Sequence, residues 1–372
     1  MKGENFNATG TKKCVLVAPL DWGLGHTTRC IPLIFKLIQQ NCEVIVAADG
    51  AGKKLLQQEF PVLKFIELKG YRMRYSRNRF WMPLSLLLQF PKLLSRVNAE
   101  RRWLKKVVAE YKIDAVISDN RLGLSHKQIP CIYLTHQLLI KTGSGFTERI
   151  AQKMHYHFIN KFNQCWVPDA AGEPNLAGEL SHPSALPKVP VVFLGPLSRF
   201  ERKETEAKYD VCILLSGPEP QRSVFEDLVM KGLGDLTGNT LLLRGLPLAS
   251  TMVERHSNNL EIKDHLPAAE LNQVVLQSKM IICRSGYTTI MDLVKLQKKA
   301  ILVPTPGQTE QEYLADYLQQ QGLFCTMKQE DFSIQEALKK IVAYNFVKAS
   351  IAMDDYEKVV EGFVQQISKP DQ

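Results

Sequence analysis

The sequence lacks the features that identify several large classes of protein. No run approaches the roughly 20 apolar residues that a membrane-spanning helix needs. Residues 1–12 are polar, so we expect a flexible leader there and no signal peptide. The eight cysteines are scattered, and no two of them form a C-x-x-C pair. This pattern predicts a reducing, cytoplasmic setting without a structural zinc site.

Acidic residues are almost missing from residues 70–106, which we call the basic segment. It contains ten Lys or Arg residues and one acid, Glu100, while the whole chain has a formal net charge of +9. Aromatic and leucine side chains lie among these cations, a mixture that suits the headgroup boundary of an anionic bilayer. The segment therefore predicts peripheral attachment to the inner face of the cytoplasmic membrane. A helix with buried leucines and solvated charges is the alternative. The lack of RNA- and DNA-binding signatures predicts no nucleic-acid partner.

The rest of the chain has the composition and rhythm of a two-domain α/β protein. It is 372 residues long, 45% hydrophobic and 23% charged. Strand-like runs alternate with helical segments over residues 13–198, and the rhythm restarts over residues 209–348 after a charged stretch. We predict two Rossmann-like domains that face each other across a cleft, and a C-terminal helix in residues 349–372 that can pack on the first domain. Ligands of open α/β sheets bind at the carboxyl ends of the strands, so the site is expected in the cleft.

The first strand ends in a glycine-rich turn, Gly23-Leu24-Gly25-His26. Backbone N–H groups and the helix dipole converge at such a turn. Thr28 replaces the third glycine of the dinucleotide fingerprint, which disfavours a nicotinamide or flavin cofactor. His26 is the candidate general base, because an imidazole titrates near neutral pH. The alternative is that His26 only caps the turn.

Two other predicted strands end in polar residues at the same edge of the sheet. Asp119 ends one of them and is a candidate to orient His26, with helix or turn capping as its alternative. His136 ends another. These strand ends predict that the polar side chains of the first domain gather at one edge of its sheet.

The second half repeats this pattern of strand, turn and helix start in "IICRSGYTTIMDL". A buried strand ends at Cys283, and Thr288 begins a helix whose first turn can face a diphosphate. Asp292 follows one helical turn later, where a carboxylate can accept hydrogen bonds from a ribose diol. An ordinary tight turn before a solvated helix is the alternative.

The block "CRSGYTTIMDL" followed by "ILVPTPGQTEQEYLA" resembles the donor-site signature of the GT-B glycosyltransferases. It is similar in particular to the bacterial enzymes that add N-acetylglucosamine to the lipid-linked peptidoglycan precursor. The glycine-rich turn with Thr-Thr-Arg after its His also resembles UDP-glucuronosyltransferase-like bacterial proteins. The overall plan matches over almost the whole chain, and the specific part is residues 283–322. The resemblance implies that the first domain holds the acceptor, with Gly25 and His136 as candidate acceptor-binding residues.

The resemblance implies sugar-donor roles for a set of residues in the second half. In the family, the diphosphate lies at the turn and helix start, and the ribose lies at an acidic position that is usually Glu. The sugar lies at a Gln and the position after it, and uracil lies against a stretch of backbone. The implied residues are Ser216, Gly217, His265, Leu266, Arg284, Ser285, Gly286, Thr288, Asp292, Gln311 and Glu312.

The predicted activity is the inverting, metal-independent transfer of a hexose-type sugar from a UDP-sugar to a hydroxyl of a lipid-linked or cell-envelope acceptor. The chain has no Asp-x-Asp motif, and no metal or resident cofactor is expected. Two alternatives remain: a nucleotide-sugar epimerase with the same architecture, and a non-catalytic subunit that binds a sugar donor and anchors a partner at the membrane.

Overall fold

Two seven-stranded sheets organise the chain. The computed structural model describes residues 12–21, 23–71, 82–234, 236–246, 253–257 and 259–369. Each sheet has helices on its faces, and the two sheets belong to successive halves of the sequence. The predicted pair of Rossmann-like domains is therefore confirmed.

The first sheet is parallel throughout, with the strand order β3-β2-β1-β4-β5-β6-β7. Its strands are β1 (Cys14–Pro19), β2 (Glu43–Ala48), β3 (Lys64–Glu67), β4 (Ala115–Asp119), β5 (Cys131–Leu134), β6 (Gln164–Val167) and β7 (Val191–Phe193). Helices α1 (Leu24–Gln39), α2 (Gly50–Glu59), α3 (Met82–Tyr111) and α4 (Gly145–Ile159) lie between them. Alternate residues of β1 enter different cores, Val15 and Val17 on one face and Leu16 on the other, which explains its continuous apolar run.

The second sheet has the order β10-β11-β9-β8-β12-β13-β14, and only β10 runs antiparallel to its neighbour among the described strands. Its strands are β8 (Tyr209–Leu214), β9 (Thr240–Leu243), β10 (Val253–Ser257), β11 (Leu260–Lys263), β12 (Ser278–Cys283), β13 (Ala300–Leu302) and β14 (Cys325–Thr326). The helices are α5 (Gln221–Leu233), α6 (Ala268–Leu276), α7 (Tyr287–Leu296), α8 (Thr309–Gln320), α9 (Ile334–Ala343) and α10 (Asp355–Ser368).

Helix α10 follows the second half in sequence but packs against the first. The Lys36 ammonium on α1 pairs with Glu357 at 2.9 Å and with Glu361 at 2.7 Å. The Phe363 ring meets Trp166 of β6 edge-on, with 5.3 Å between ring centroids. The C-terminal helix therefore completes the core of the first half.

The basic segment falls mainly on α3. Residues 72–81 lie outside the described residues, and from Pro91 onward α3 buries Val97, Leu104 and Val107. Among the helices that the structure describes, none is long and apolar enough to cross a bilayer.

Candidate active site

The carboxyl ends of β1 and β4 bring His26 and Asp119 together, as their positions in the sequence predict. His26 lies in the first turn of α1, and its Nδ1 is 3.1 Å from Asp119 Oδ1. Asp119 is fully buried. Burial by itself would raise the pKa of this carboxyl, but Arg29 and His26 outweigh burial and hold the pKa at about 2. Asp119 is therefore a carboxylate at neutral pH.

Arg29, one helical turn after His26, is a site residue that the sequence reasoning missed. Its Nε donates to Asp119 Oδ2 at 2.7 Å, and its Nη2 donates to Asp119 Oδ1. Nη2 also lies 2.8 Å from Nδ1 of His26. The side chain is 2% exposed, so this cation is held inside the protein by the carboxylate. The spacing of three residues from His26 was a signal available in the sequence.

His136 connects this cluster to the second half of the protein. Its Nδ1 lies 3.0 Å from Arg29 Nη1, and its Nε2 lies 2.7 Å from Oε1 of Glu310, at the start of α8. The imidazole also stacks on the Tyr287 ring, with 4.1 Å between centroids. Burial lowers the pKa of His136, with the neighbouring Arg29 acting in the same direction. Protein partners hold both ring nitrogens of His136 in this structure, and its predicted contact with an acceptor stays a prediction.

The two predicted turns meet across the cleft. Thr288 Oγ1 donates to the Gly25 carbonyl at 3.1 Å. A Cβ added at position 25 would lie 3.1 Å from Thr288 Oγ1, so the two turns approach closely. Gly286 precedes the first turn of α7 and supplies no side-chain cap. Ser285 is buried, and its Oγ donates to the Gln311 carbonyl at 2.8 Å. The start of α7 thus faces the turn that carries His26.

The Arg284 side chain is held by groups of its own half, and its predicted role at the diphosphate stays a prediction. The residue is 1% exposed, and its guanidinium donates to the carbonyls of Val303, Pro304 and Gln221 and to Oε1 of Gln329. Burial lowers its pKa to about 10, so it stays charged at neutral pH. In this conformation Arg284 fastens loops of the second half together.

The predicted sugar-binding side chains of α8 also turn toward their own loop. Gln311 Oε1 accepts the Thr305 N–H at 2.9 Å, and Glu312 Oε1 accepts the Gly307 N–H at 2.9 Å. In this conformation both residues shape the loop between β13 and α8. Glu310, which precedes them and was not predicted, is the α8 carboxylate that reaches the His26 cluster.

The loop after β8 places Ser216 and Gly217 on the surface, and Gly217 has a φ of 106°, a conformation that favours glycine. Glu219 Oε2 accepts the Ser223 N–H at 3.2 Å in the first turn of α5. A carboxylate therefore occupies the helix start where the resemblance implied a phosphate.

A small cavity of about 130 Å³ lies beside the predicted nucleoside residues. His265 and Leu266 line it together with Arg199. Nearby, Ser198 Oγ donates to Asp292 Oδ1 at 2.6 Å, and burial raises the pKa of Asp292 to about 6, opposed by the charge of Arg199. The Nε of Arg199 is buried without a hydrogen-bond partner. Arg199 was missed because its stretch of sequence is charged and gave no sign of burial.

The described residues contain no group of three or more His, Cys, Asp or Glu side chains arranged to hold a metal ion. The site is instead built from one buried cation, two carboxylates and two imidazoles. This arrangement can accept a proton and can stabilise charge at the start of α7.

Comparisons with known proteins agree with this architecture. The model for the glycosyltransferase family 28 C-terminal domain matches residues 248–364, and the model for glycosyl transferase family 1 matches residues 19–170. The UDP-N-acetylglucosamine–N-acetylmuramyl-(pentapeptide) pyrophosphoryl-undecaprenol N-acetylglucosamine transferase of Haemophilus ducreyi is 24% identical over 329 residues, 84% of this chain and 85% of that protein. An uncharacterized glycosyltransferase of Methanopyrus kandleri is 23% identical over 350 residues, 88% of this chain and 94% of that protein.

Solved structures match over nearly the whole length. The glycotransferase of kitacinnamycin superposes with a TM-score of 0.62 at 13% identity, covering 96% of this chain and 94% of that one. MurG of Acinetobacter baumannii superposes with a TM-score of 0.52 at 14% identity, covering 95% and 99%. Taken with the two domain matches, these findings show that the chain is a glycosyltransferase with the GT-B fold and that it is similar to MurG.

Proposed function

We propose that this enzyme transfers a hexose-type sugar from a UDP-sugar to a hydroxyl of a lipid-linked or cell-envelope acceptor, with inversion and without a bound metal. The observation that carries the proposal is the contact of His26 with a buried, ionised Asp119 at the point where Gly25 meets the start of α7. The similarity to the N-acetylglucosamine transferase of Haemophilus ducreyi supports the substrate class.

The chemistry follows from that arrangement. The acceptor oxygen attacks the anomeric carbon from the face opposite the diphosphate, and the bond from that carbon to the diphosphate oxygen breaks with its electron pair on UDP. The hydroxyl proton passes to Nε2 of His26 and then to solvent. For this step Nδ1 must carry a hydrogen, which Asp119 accepts. Attack opposite the leaving group inverts the configuration at the anomeric carbon.

The sugar donor lies on the second half in this proposal. The free N–H groups and dipole at the start of α7 stabilise the leaving diphosphate. Asp292 accepts the ribose hydroxyls, and Arg199 lies beside the nucleoside as a further polar partner. No resident cofactor takes part.

A donor panel tests the proposed function directly. We expect UDP to bind the purified chain in calorimetry, and one UDP-sugar of a panel to raise its melting temperature more than UDP does. Turnover of that sugar onto a lipid-linked acceptor, followed by mass spectrometry, should require the acceptor. Failure of every UDP-sugar to bind would reject the proposal, and an epimerised UDP-sugar formed without acceptor would support an epimerase instead.

We also propose that the first half docks on an anionic bilayer, where a lipid-linked acceptor is found. The single acid of the basic segment, Glu100, is 3% exposed and pairs with Arg121 at 3.0 Å. Lys105 and Lys106 are exposed on the same helix. Within residues 91–106, the outward face of α3 therefore presents cations, and Glu100 is turned to the interior, which suits anionic headgroups.

Helix α4 adds an apolar face next to these cations. Phe146, Ile150 and Met154 recur at helical spacing and are 73%, 46% and 36% exposed. Arg149 and Lys153 lie between them in the sequence. The charge of Arg101 on α3 lowers the pKa of Lys161 just after α4, behind the larger effect of burial, so the two basic surfaces adjoin. We propose that the apolar face of α4 enters the headgroup boundary.

A further inference from the structure

Arg29 makes contacts that restrict where the two site histidines carry their protons. Its Nη2 lies 2.8 Å from Nδ1 of His26, and its Nη1 lies 3.0 Å from Nδ1 of His136. A guanidinium has five N–H donors and no acceptor. Each of these imidazole nitrogens must therefore accept a hydrogen bond, and a nitrogen that accepts carries no hydrogen.

For His136 this requirement agrees with its other contact. A neutral imidazole whose Nδ1 accepts has its hydrogen on Nε2, and Nε2 of His136 lies 2.7 Å from the Glu310 carboxylate. The sequence of contacts from Arg29 through His136 to Glu310 thus has a consistent donor and acceptor at every step.

For His26 the same contact opposes the chemistry of a base. Accepting from Arg29 places the hydrogen on Nε2, whereas a base that takes a proton on Nε2 must hold its hydrogen on Nδ1 and donate it to Asp119, 3.1 Å away. One nitrogen cannot do both. The shorter contact, to Arg29, favours the Nε2–H form.

Charged and titratable groups from several elements surround His26. Asp119 at the end of β4 faces His26, but both oxygens of this carboxylate already accept hydrogen bonds from the Arg29 guanidinium. Cys30 of α1 contacts Asp119, while His136 of β5 and Glu310 of α8 lie on the far side of Arg29. His26 therefore lies directly beside a cation whose charge Asp119 balances.

We propose that Arg29 is a positioning residue that restrains the general base: it holds Asp119 in place and keeps His26 in the Nε2–H form until the Nδ1 contact passes from Arg29 to Asp119. Through His136 and Glu310, the guanidinium is also tied to the start of α8, where the loop that follows β13 ends. The inference rests on the proposed role of His26 as base, but the proton position it specifies can be measured without any turnover.

Nitrogen NMR of ¹⁵N-histidine-labelled protein tests the proton positions. We expect both His26 and His136 to carry hydrogen on Nε2 in the wild-type chain, with signals assigned by their loss in His26→Gln and His136→Gln. In Arg29→Lys, which keeps a positive charge but has no second nitrogen for the fork, His26 should shift toward the Nδ1–H form. A wild-type His26 that already carries its hydrogen on Nδ1 would overturn the inference.

The pH profile of kcat/KM provides a second readout that a purely structural residue would not move. Removing a cation beside an imidazole favours the protonated ring, so Arg29→Met should raise the pKa of the acid limb by about one unit. Arg29→Lys should leave that limb near its wild-type position while lowering kcat about 10-fold, because Asp119 loses its two-point support. An acid limb unchanged in Arg29→Met would reject the restraining role.

Arg121→Met is the matched control, because Arg121 is equally buried and paired with a carboxylate, but its hydrogen bonds go to Glu100 and to the carbonyls of Pro19 and Leu68. It should lower stability and leave the acid limb in place. Calorimetry with UDP tests the proposed function separately from the role of Arg29. UDP binding with the wrong His26 proton position would reject only the role of Arg29, whereas no UDP binding would reject the proposed function.

Discussion

At the scale of single residues, the pair of His26 and Asp119 carries the proposed proton transfer. Asp119 has no exposed surface and a pKa of about 2, so it remains ionised across the working pH range of an enzyme. A buried carboxylate beside a partly exposed imidazole is the arrangement expected of a base and the group that orients it.

Replacing His26 by Ala should lower kcat by about 10²- to 10⁴-fold while donor affinity changes little, because a general base acts in the transition state. Turnover and UDP calorimetry on the same preparation measure both quantities. His157→Ala, at an exposed histidine on α4, is the control and should retain activity in a membrane-free assay. Full activity per folded molecule in His26→Ala would show that the residue only caps its turn.

Asp292 supports a prediction about stability and pH. Its pKa of about 6 exceeds the ordinary value of 3.8, because burial disfavours the carboxylate. The folded state then holds the proton more tightly than the unfolded chain, so this stabilisation is complete below about pH 4 and is lost as pH rises through 6. Asp292→Asn should therefore be more stable than wild type at pH 8 by on the order of 2 kcal/mol, and equal to it at pH 4.

The same substitution should weaken UDP binding by roughly 1.5 to 3 kcal/mol, since it removes a charged acceptor for the ribose diol. Thermal unfolding at the two pH values and calorimetry provide the measurements, with the exposed Asp316→Asn as control. Unchanged UDP affinity would remove Asp292 from the proposed donor site, and a stability difference independent of pH would contradict the linkage.

At the scale of elements, helix α4 combines an exposed apolar stripe with basic residues. Phe146→Ser together with Ile150→Ser should reduce partitioning onto anionic vesicles by about 100-fold or more, because each apolar side chain that leaves water contributes about 1.5 to 3 kcal/mol. Sedimentation with vesicles of anionic and of neutral lipid measures the effect, and rising salt should release the wild type.

Val342→Ser is the matched control for that experiment. Val342 is 78% exposed on α9 in the second half, away from the basic surface, so its loss should leave partitioning unchanged. Equal sedimentation of the α4 variant and the wild type would remove α4 from the proposed membrane surface.

At the scale of the whole molecule, α10 makes the end of the chain part of the first half. Phe363 is 4% exposed and packs on Trp166, so Phe363→Ala should destabilise the first half by about 3 to 5 kcal/mol through lost burial and a cavity. All four tryptophans lie in the first half, and their fluorescence reports its unfolding selectively. An unchanged tryptophan melting curve would contradict this role of α10.

Much of the fold could be predicted from the sequence, because buried parallel strands are continuous apolar runs separated by helical segments. The four-residue β6, the five-residue β10 and the two-residue β14 were not predicted as strands, because such short runs carry little periodicity. The contact of His26 with Asp119 was predictable for a related reason: parallel strands bring their carboxyl ends to one edge, so residues 93 positions apart meet there.

The sequence by itself determined the two sheets, the position of the glycine turns and the chemical types of the residues at the strand ends, because these depend on local composition and period. Only the tertiary structure decided which way the long polar side chains point. Arg284, Gln311 and Glu312 turned to acceptors and donors inside their own half, while Arg29 and Glu310 reached the cleft. A buried polar group must find a partner wherever the packing offers one, and that partner is fixed by neighbours distant in sequence, which no local pattern records.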